Sequence, residues 1–374
     1  MSDRVLIVGG GVGALEAAIA LHELAGDRVE VEICSPREDF VYRPFAVGAP
    51  YGAAHAMRYD LRMLGERCRA GFRLDSIGSV DPGKRLARTH DGEEIPYDHL
   101  IVACGTRLLA GVPGAVTFWG IADDGRVQDV VRDLRERRLR RVAFTMPGGH
   151  TWALPVYELA LLAEAELSKA RVGDASLVVV TPEETPLHLF GRRASERVAE
   201  LLAERNVETI VGTHPVDYAE GLLTVSPGDP VAADAVLSLP RLEGRKIAGV
   251  PHDPEGFVAV DEHSRILGLE RAFAVGDVTG FPVKQGGIAT QQADAAAEAI
   301  AAELGGDLQP QPFDPMLRGV LWTGAEPLYL SGYLAGGHGE TSFAGEEPPW
   351  KGGEESKVVG RYLTPFLAGL AARA

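Results

Sequence analysis

Residues 4 to 8, Arg-Val-Leu-Ile-Val, form a short apolar run that reads as a buried strand. From Ala14 to Leu24 the apolar positions switch to helical spacing, and Val29 to Ile33 predicts the next strand. The same alternation returns between residues 141 and 245: a strand at Arg141 to Thr145, a helix at Leu154 to Ser168, a strand at Ser176 to Thr181 and a helix around Ala194 to Arg205. Strands that alternate with helices in this way predict an α/β chain built from two doubly wound, Rossmann-like units with parallel sheets. A long helix is expected over roughly Gly286 to Leu304. Residues 331 to 355 are dense in Gly, Pro and Glu and read as a mobile loop of the kind that serves as a lid. The tail from Lys357 to Arg373 is helical by pattern. Val358, Tyr362, Phe366 and Leu370 form one apolar ridge, Val359, Leu363 and Leu367 the next, and Pro365 is expected to kink it.

The first strand and helix meet at Gly9-Gly10-Gly11-Val12-Gly13-Ala14, which matches GxGxxA, a dinucleotide-binding fingerprint. Gly9 allows the tight turn, Gly11 removes the Cβ that would hold a pyrophosphate away, and Ala14 permits close helix packing. The phosphates then sit where unpaired N–H groups and the helix dipole favour negative charge. A Rossmann unit normally ends its second strand in an acid that binds ribose hydroxyls. Here that strand ends in Cys34-Ser35-Pro36-Arg37, so Glu32, Ser35 or a backbone group is expected to substitute.

Composition narrows the class. The 374 residues suggest two or three domains, and 45 Gly exceeds the usual share by enough to demand an explanation in turns and loops. A net charge of −16 repels nucleic acid, so none is expected as a partner. Cys34, Cys68 and Cys104 are scattered, with no CxxC and no clustered histidine. That argues against a disulfide framework and against a metal site, and fits a reducing cytoplasm. The apolar N-terminus is broken by glycines and Glu16, unlike a signal sequence, and no window offers the ~18 uninterrupted apolar residues of a membrane span.

Two further segments carry a resemblance. Ile95 to Thr106 resembles the YDxLVxATG strand and loop of flavoproteins that bind two dinucleotides, with Cys104 where Thr is usual. Arg271 to Val278 resembles their second FAD motif, a strand ending in Gly-Asp. With the N-terminal fingerprint, the chain is similar to the pyridine nucleotide-disulfide oxidoreductase superfamily over about residues 1 to 305. The resemblance implies a discontinuous FAD domain at 1–115 and 246–310, an inserted NAD(P)-binding-like domain at 116–245 and a C-terminal interface or lid segment at 311–374. It also implies that FAD contacts Gly9, Gly11, Val12, Gly13, Ala14, Ser35, Pro36, Arg37, Arg43, Pro44, Ala103, Cys104, Gly105, Gly276, Asp277, Lys284 and Gln285. Asp277 would accept hydrogen bonds from ribityl hydroxyls or hold a water on the pyrophosphate, and the helix from Gly286 would stabilise negative charge on reduced flavin.

The phrases Ser35 to Pro44, and Val180 to Glu183 with His188 to Gly191, look most like sulfide:quinone oxidoreductases and type II NADH dehydrogenases. This branch implies an FAD-dependent oxidoreductase passing electrons from a small-molecule donor to a quinone or other small acceptor. It also places Lys284, Gln291 and Gln292 near the flavin as candidate catalytic residues, against the plainer reading of a solvated lysine and a polar helix face.

The usual NAD(P)H site is degenerate. With Glu158-Leu159-Ala160 set on the end of a second fingerprint, Thr151, Ala153 and Val156 occupy the glycine positions, Pro155 lies inside, and Glu183 follows Pro182 at the ribose position. Where sulfide enzymes place a cysteine near the start of the middle domain, about Trp152 stands here, and the three cysteines read as buried or incidental.

An NAD(P)H-dependent reductase using an atypical Pro147 to Trp152 turn, and a non-catalytic FAD-binding sensor or redox partner, stay open. So do peripheral contact of the C-terminal helix with the inner face of a membrane, its packing on the core, and a homodimer. Trp322, Tyr329, Tyr333, Phe343 and Trp350 are expected to wall a substrate or to form a dimer interface.

Overall fold

A computed structural model describes residues 2–120, 125–334, 342–350 and 356–372. Asp3–Val8 is the central strand of a five-stranded parallel sheet ordered Ala272–Ala274, His99–Val102, Asp3–Val8, Val29–Ser35, Gly71–Leu74. The carboxyl-terminal halves of Asp3–Val8 and of Val29–Ser35 and all of His99–Val102 are buried, because both faces of the sheet are covered there. A strand some 270 positions downstream thus docks beside His99–Val102 and brings Gly276 next to the N-terminal glycines. Helices Val12–Ala25 and Gly286–Glu303 pack together through methyl groups: Ala14, Ala17 and Ala18 against the layer holding Ala293, Ala296 and Ala297, all fully buried. Both helices are apolar nearly all round, as buried helices are.

A second parallel sheet runs Val116–Thr117, Ala235–Ser238, Arg141–Thr145, Ser176–Val180, Val207–Ile210, with Leu154–Lys169 and Arg192–Glu204 among its helices. The strand Thr106–Leu109 pairs antiparallel with Arg241–Gly244, so the two chain passages between the sheets run side by side.

The C-terminal segment departs from its sequence pattern twice. Met316–Leu321, Leu328–Tyr333 and Phe343–Gly345 form an antiparallel sheet, so part of the expected loop is strand. The alternation of Leu328 and Leu330 toward the core drives that pairing. Residues 346–350 are irregular, as expected of a loop, and 335–341 and 351–355 lie outside the described residues. The terminal helix is also shorter than the pattern suggests, Leu363–Ala371, because Glu16 sets its start. The Glu16 carboxylate accepts the N–H of Tyr362 at 2.9 Å and of Leu363 at 2.6 Å, satisfying first-turn donors that no residue of the helix can reach. Pro365 therefore falls in the first turn, where its missing N–H costs nothing, and no kink is needed. Leu363 and Leu367 are buried against the N-terminal helix's layer, which places the apolar ridge on the core. Among the described residues no helix is long and apolar enough to cross a membrane.

Glu16 also faces Asp294, with Arg361 and Glu298 alongside. Burial pushes both carboxyls up, Asp294 to about 9; the charge and hydrogen bonding of Glu16 add to the rise of Asp294, while hydrogen bonds from the main chain of Tyr362 and Leu363 and from Asp294 hold Glu16 back. A carboxyl whose folded value lies above its unfolded value adds stability that is full below the unfolded value. That stability is lost as pH rises through the folded value. Stability therefore declines from the ordinary carboxylate range up to about pH 9. Asp294→Asn should flatten this dependence, as read from urea midpoints at mildly acidic and mildly alkaline pH; an unchanged slope would remove the pair as its source.

Candidate functional site

The carboxyl ends of strands from both parallel sheets open onto one cleft of ≈ 580 Å³, the position where ligands bind in open α/β sheets. Gly9 begins it with φ +130°, and a Cβ there would sit 2.2 Å from the Ala103 carbonyl oxygen, so the close approach of the two strand ends needs glycine. Gly11 is the N-cap of Val12–Ala25, has no side-chain cap, and a Cβ built on it meets nothing of the protein within 4 Å. Bare first-turn N–H groups facing open space make a cradle for a pyrophosphate. Ala14 lies behind this wall, buried in the helix packing.

Ser35, Pro36, Arg37, Arg43 and Pro44 line the end of the cleft beyond the second strand, with Ala103, Cys104 and Gly105 beside the glycines. The Ser35 hydroxyl accepts the Arg37 N–H at 3.2 Å. Glu32 is held by Arg73 at 2.9 Å and does not line the cleft, which leaves Ser35 and Arg37 as the groups at the ribose position.

At the other end stand Gly276, Asp277, Lys284 and Gln285. Burial pushes the Asp277 carboxyl up, opposed by Lys284 and Arg43. Lys284 lines the cleft rather than solvent, donates to the Thr279 carbonyl and lies 4.1 Å from the centre of the Phe257 ring. Burial pulls it down to about 8, against the pull of Asp277 and Asp253. Gln285 caps the helix Gly286–Glu303 through its side-chain oxygen on the Ile288 N–H. Its amide donates to the Arg318 carbonyl at 2.6 Å.

The paired glutamines are committed elsewhere. Gln292 is buried, accepts from the Gly276 N–H at 2.7 Å and braces the Gly-Asp turn from behind. Gln291 grips the main chain of Met316 with both ends of its amide, at 2.9 and 3.0 Å. Neither lines the cleft, so the structure directs both away from a flavin contact.

The first helix after Arg141–Thr145 starts unlike a nucleotide cradle. Helix Leu154–Lys169 starts Leu-Pro, and Pro155 in its first turn removes one of the donors a pyrophosphate would use. Thr151, ahead of it, bridges instead to Val283 of the first unit. Trp152 packs on Phe190, ring centres 5.6 Å apart. Glu183 is buried, accepts the Tyr157 hydroxyl at 2.6 Å and faces His188 at 3.5 Å, so the acid nearest the ribose position is already satisfied.

One pair escaped the sequence reading. Glu158 and Lys357, 199 positions apart, form a buried ion pair that lines the cleft. Glu158 also accepts the Trp322 N–H at 2.9 Å, and Lys357 lies 4.0 Å from the centre of the Trp322 ring, which stacks on Phe45. Burial pushes Glu158 up and Lys357 down, each countered by the other. The sequence carried a hint, an acid between Tyr157 and the apolar run Leu159 to Ala163, but nothing that named its partner. The expected aromatic wall is divided: Tyr329 packs edge-on to Trp350 at 5.8 Å, away from Trp322, and none of the five aromatics lines the cleft.

The cysteines are quiet. Burial pushes Cys34 up to about 12 and Cys68 and Cys104 to about 11. Only Cys104 lies partly open to the cleft among side chains of this type, and Cys34 donates to the Asp75 carbonyl at 3.4 Å. A thiol held so far above neutrality alkylates about a hundredfold more slowly than free cysteine. Iodoacetamide labelling near neutral pH, followed by mass spectrometry, should leave all three unmodified in the folded protein, and rapid labelling of Cys104 would contradict these surroundings.

Residues 3–300 match the family described as Pyridine nucleotide-disulphide oxidoreductase. The chain is 25% identical over 304 residues to the sulfide-quinone reductase of Aquifex aeolicus, covering 75% of this chain and 70% of that one. It is 24% identical over 301 residues to an NADH dehydrogenase-like protein of Mycobacterium tuberculosis, covering 74% and 72%. Its fold is similar to the solved sulfide:quinone oxidoreductase of Aquifex aeolicus, with a TM-score of 0.82 at 21% identity over 92% of this chain and 87% of that one. It is also similar to a ferredoxin reductase of Rhodopseudomonas palustris, with a TM-score of 0.64 at 20% identity over 90% and 83%.

Proposed function

The chain belongs to the pyridine nucleotide-disulphide oxidoreductase family, and from that premise we propose that it carries electrons from a donor other than NAD(P)H to a quinone or similar small acceptor. It is an FAD-dependent oxidoreductase; when bound, FAD supplies the electron transfer itself. The residues present fit that cofactor. Gly9, Gly11, Val12 and Gly13 would receive the pyrophosphate, Ser35 and Arg37 the adenosine ribose, and Asp277 the ribityl hydroxyls. Lys284 and the N-terminal turn of Gly286–Glu303 would supply positive potential at the flavin end.

The observation that carries the donor assignment is the satisfied state of the second unit: Glu183 is held by Tyr157, and a Leu-Pro helix start stands where a bare glycine turn is needed. The quiet cysteines speak against a thiol relay from sulfide. A quinone acceptor is supported by the sulfide-quinone reductase among the relatives and by the apolar and aromatic side chains Phe118, Trp119, Trp152 and Leu154 on the cleft wall. A quinone that gains two electrons also takes up two protons. Lys357, whose pairing with Glu158 counters the pull of burial toward the neutral form, lines the cleft to give one of them, with solvent supplying the other. A diffusible acceptor also fits a terminal helix whose Leu363 and Leu367 are already buried on the protein.

The test is reoxidation. Protein whose flavin has been reduced anaerobically with dithionite, then freed of excess reductant, should regain its visible absorbance on mixing with a short-chain quinone. No reoxidation beyond that in buffer alone would overturn the acceptor and favour a non-catalytic FAD protein.

A further inference from the structure

A second cavity of ≈ 670 Å³ lies against a different face of the helix Gly286–Glu303 and shares no lining residue with the cofactor cleft. We propose that it is a second ligand site, for a small monocarboxylate with an apolar body, anchored by Arg318. The guanidinium of Arg318 is half-buried on the strand Met316–Leu321, and among the described residues no carboxylate pairs with it. A cation withdrawn from water without a counter-ion is costly, and a planar fork of donors is complemented by a carboxylate. The Trp350 Nε1–H, on the same wall, is shut off from water and has no acceptor among the described residues. A buried indole donor is nearly always satisfied, so this one also calls for an acceptor oxygen.

The other charged groups facing the cavity are Arg361, Asp294 and Asp314. Arg361 is engaged by Glu298 at 3.1 Å. Burial and Glu16 push the Asp294 carboxyl up to about 9, and its Oδ1 has no partner among the described residues. It therefore presents a neutral carboxyl rather than a repelling charge. Asp314 sits exposed at the rim. One anionic group is thus favoured, and a doubly charged phosphate is opposed by Asp314 in exchange for the same two donors. Met316 and Pro365 on the lining, with the Trp350 ring, accommodate an apolar body, and the volume suits a small organic molecule.

The site is wired to the cleft by a short path. Gly319 and Val320, the two residues after Arg318, line the cofactor cleft, and the cleft residue Gln285 donates to the Arg318 carbonyl. Occupancy should therefore also register at the flavin.

Calorimetric titration of the FAD-loaded full chain with benzoate should show saturable binding of one equivalent, whereas inorganic phosphate should give none. Arg318→Gln should weaken benzoate at least about tenfold, and Arg318→Lys, which keeps the charge but loses the fork, by less. Trp350→Phe keeps the ring and removes only the N–H, so it should weaken benzoate severalfold even if Arg318→Gln does not fold. Benzoate should also perturb the flavin visible spectrum in the parent protein. The proposal is overturned by absence of saturable benzoate binding, by unchanged affinity in Trp350→Phe together with Arg318→Gln, by phosphate binding more tightly than benzoate, or by displacement of benzoate by menadione, which would make the cavity the acceptor's own.

Discussion

Gly11→Val protein should purify colourless, folded and unable to take up FAD. The substituted side chain points into the open cradle at the start of Val12–Ala25, where a Cβ touches no protein atom within 4 Å. The backbone there is extended, a conformation valine accepts without strain. The protein therefore loses only the modest preference for glycine over valine at a helix N-cap, while the space a pyrophosphate must enter is filled and its approach to the first-turn N–H groups is blocked. A loss of at least about a hundredfold in FAD affinity is expected, roughly 3 kcal/mol. Fluorescence quenching of added FAD measures it, and circular dichroism confirms the fold. Gly9→Val would be uninformative by comparison, since its Cβ runs into the Ala103 carbonyl and disturbs the sheet itself.

The second large effect concerns the buried pair. Lys357→Met leaves the Glu158 carboxyl in a dry site with only the Trp322 N–H for company, and removing one member of a buried pair typically costs about 3–5 kcal/mol. Glu158→Gln with Lys357→Met removes both charges and should recover most of that stability, since a matched neutral pair is often as stable as the ion pair it replaces. Function should separate from stability here. The double variant should bind FAD normally yet reduce quinone about a hundredfold more slowly, the usual scale for a lost proton donor. Urea denaturation reads the first effect and stopped-flow reoxidation the second. A stable double variant with undiminished quinone reduction would leave Lys357 a purely structural residue.

The sequence was most informative where a requirement is local. The GxGxxA turn, the Arg271 to Val278 strand and the alternation of strands with helices each follow from neighbouring residues, and the structure brings the first two together at one cleft. Degeneracy of the second fingerprint was equally legible from Thr151, Ala153, Pro155 and Val156. Long-range commitments were not. The terminal helix begins at Leu363 because Glu16, more than 340 positions earlier, caps it, and no local pattern contains that information. Gln291 and Gln292 have the composition of a functional pair, yet the main chain of Met316 and of Gly276 claims them. Glu158 and Lys357 are unremarkable apart and acquire meaning only as a pair. In each case a polar side chain in an apolar setting signalled a partner, and only the fold could say which.

Anaerobic mixing of the FAD-loaded protein with NADH and with NADPH, followed at the visible flavin band, tests the central claim most directly. With Glu183 held by Tyr157 and Pro155 in the first turn of the helix from Leu154, neither nucleotide should bleach the flavin faster than free FAD is bleached, while dithionite bleaches it fully and a quinone restores it. Rapid, saturable bleaching by either nucleotide would show that the second unit binds it after all and would contradict the account.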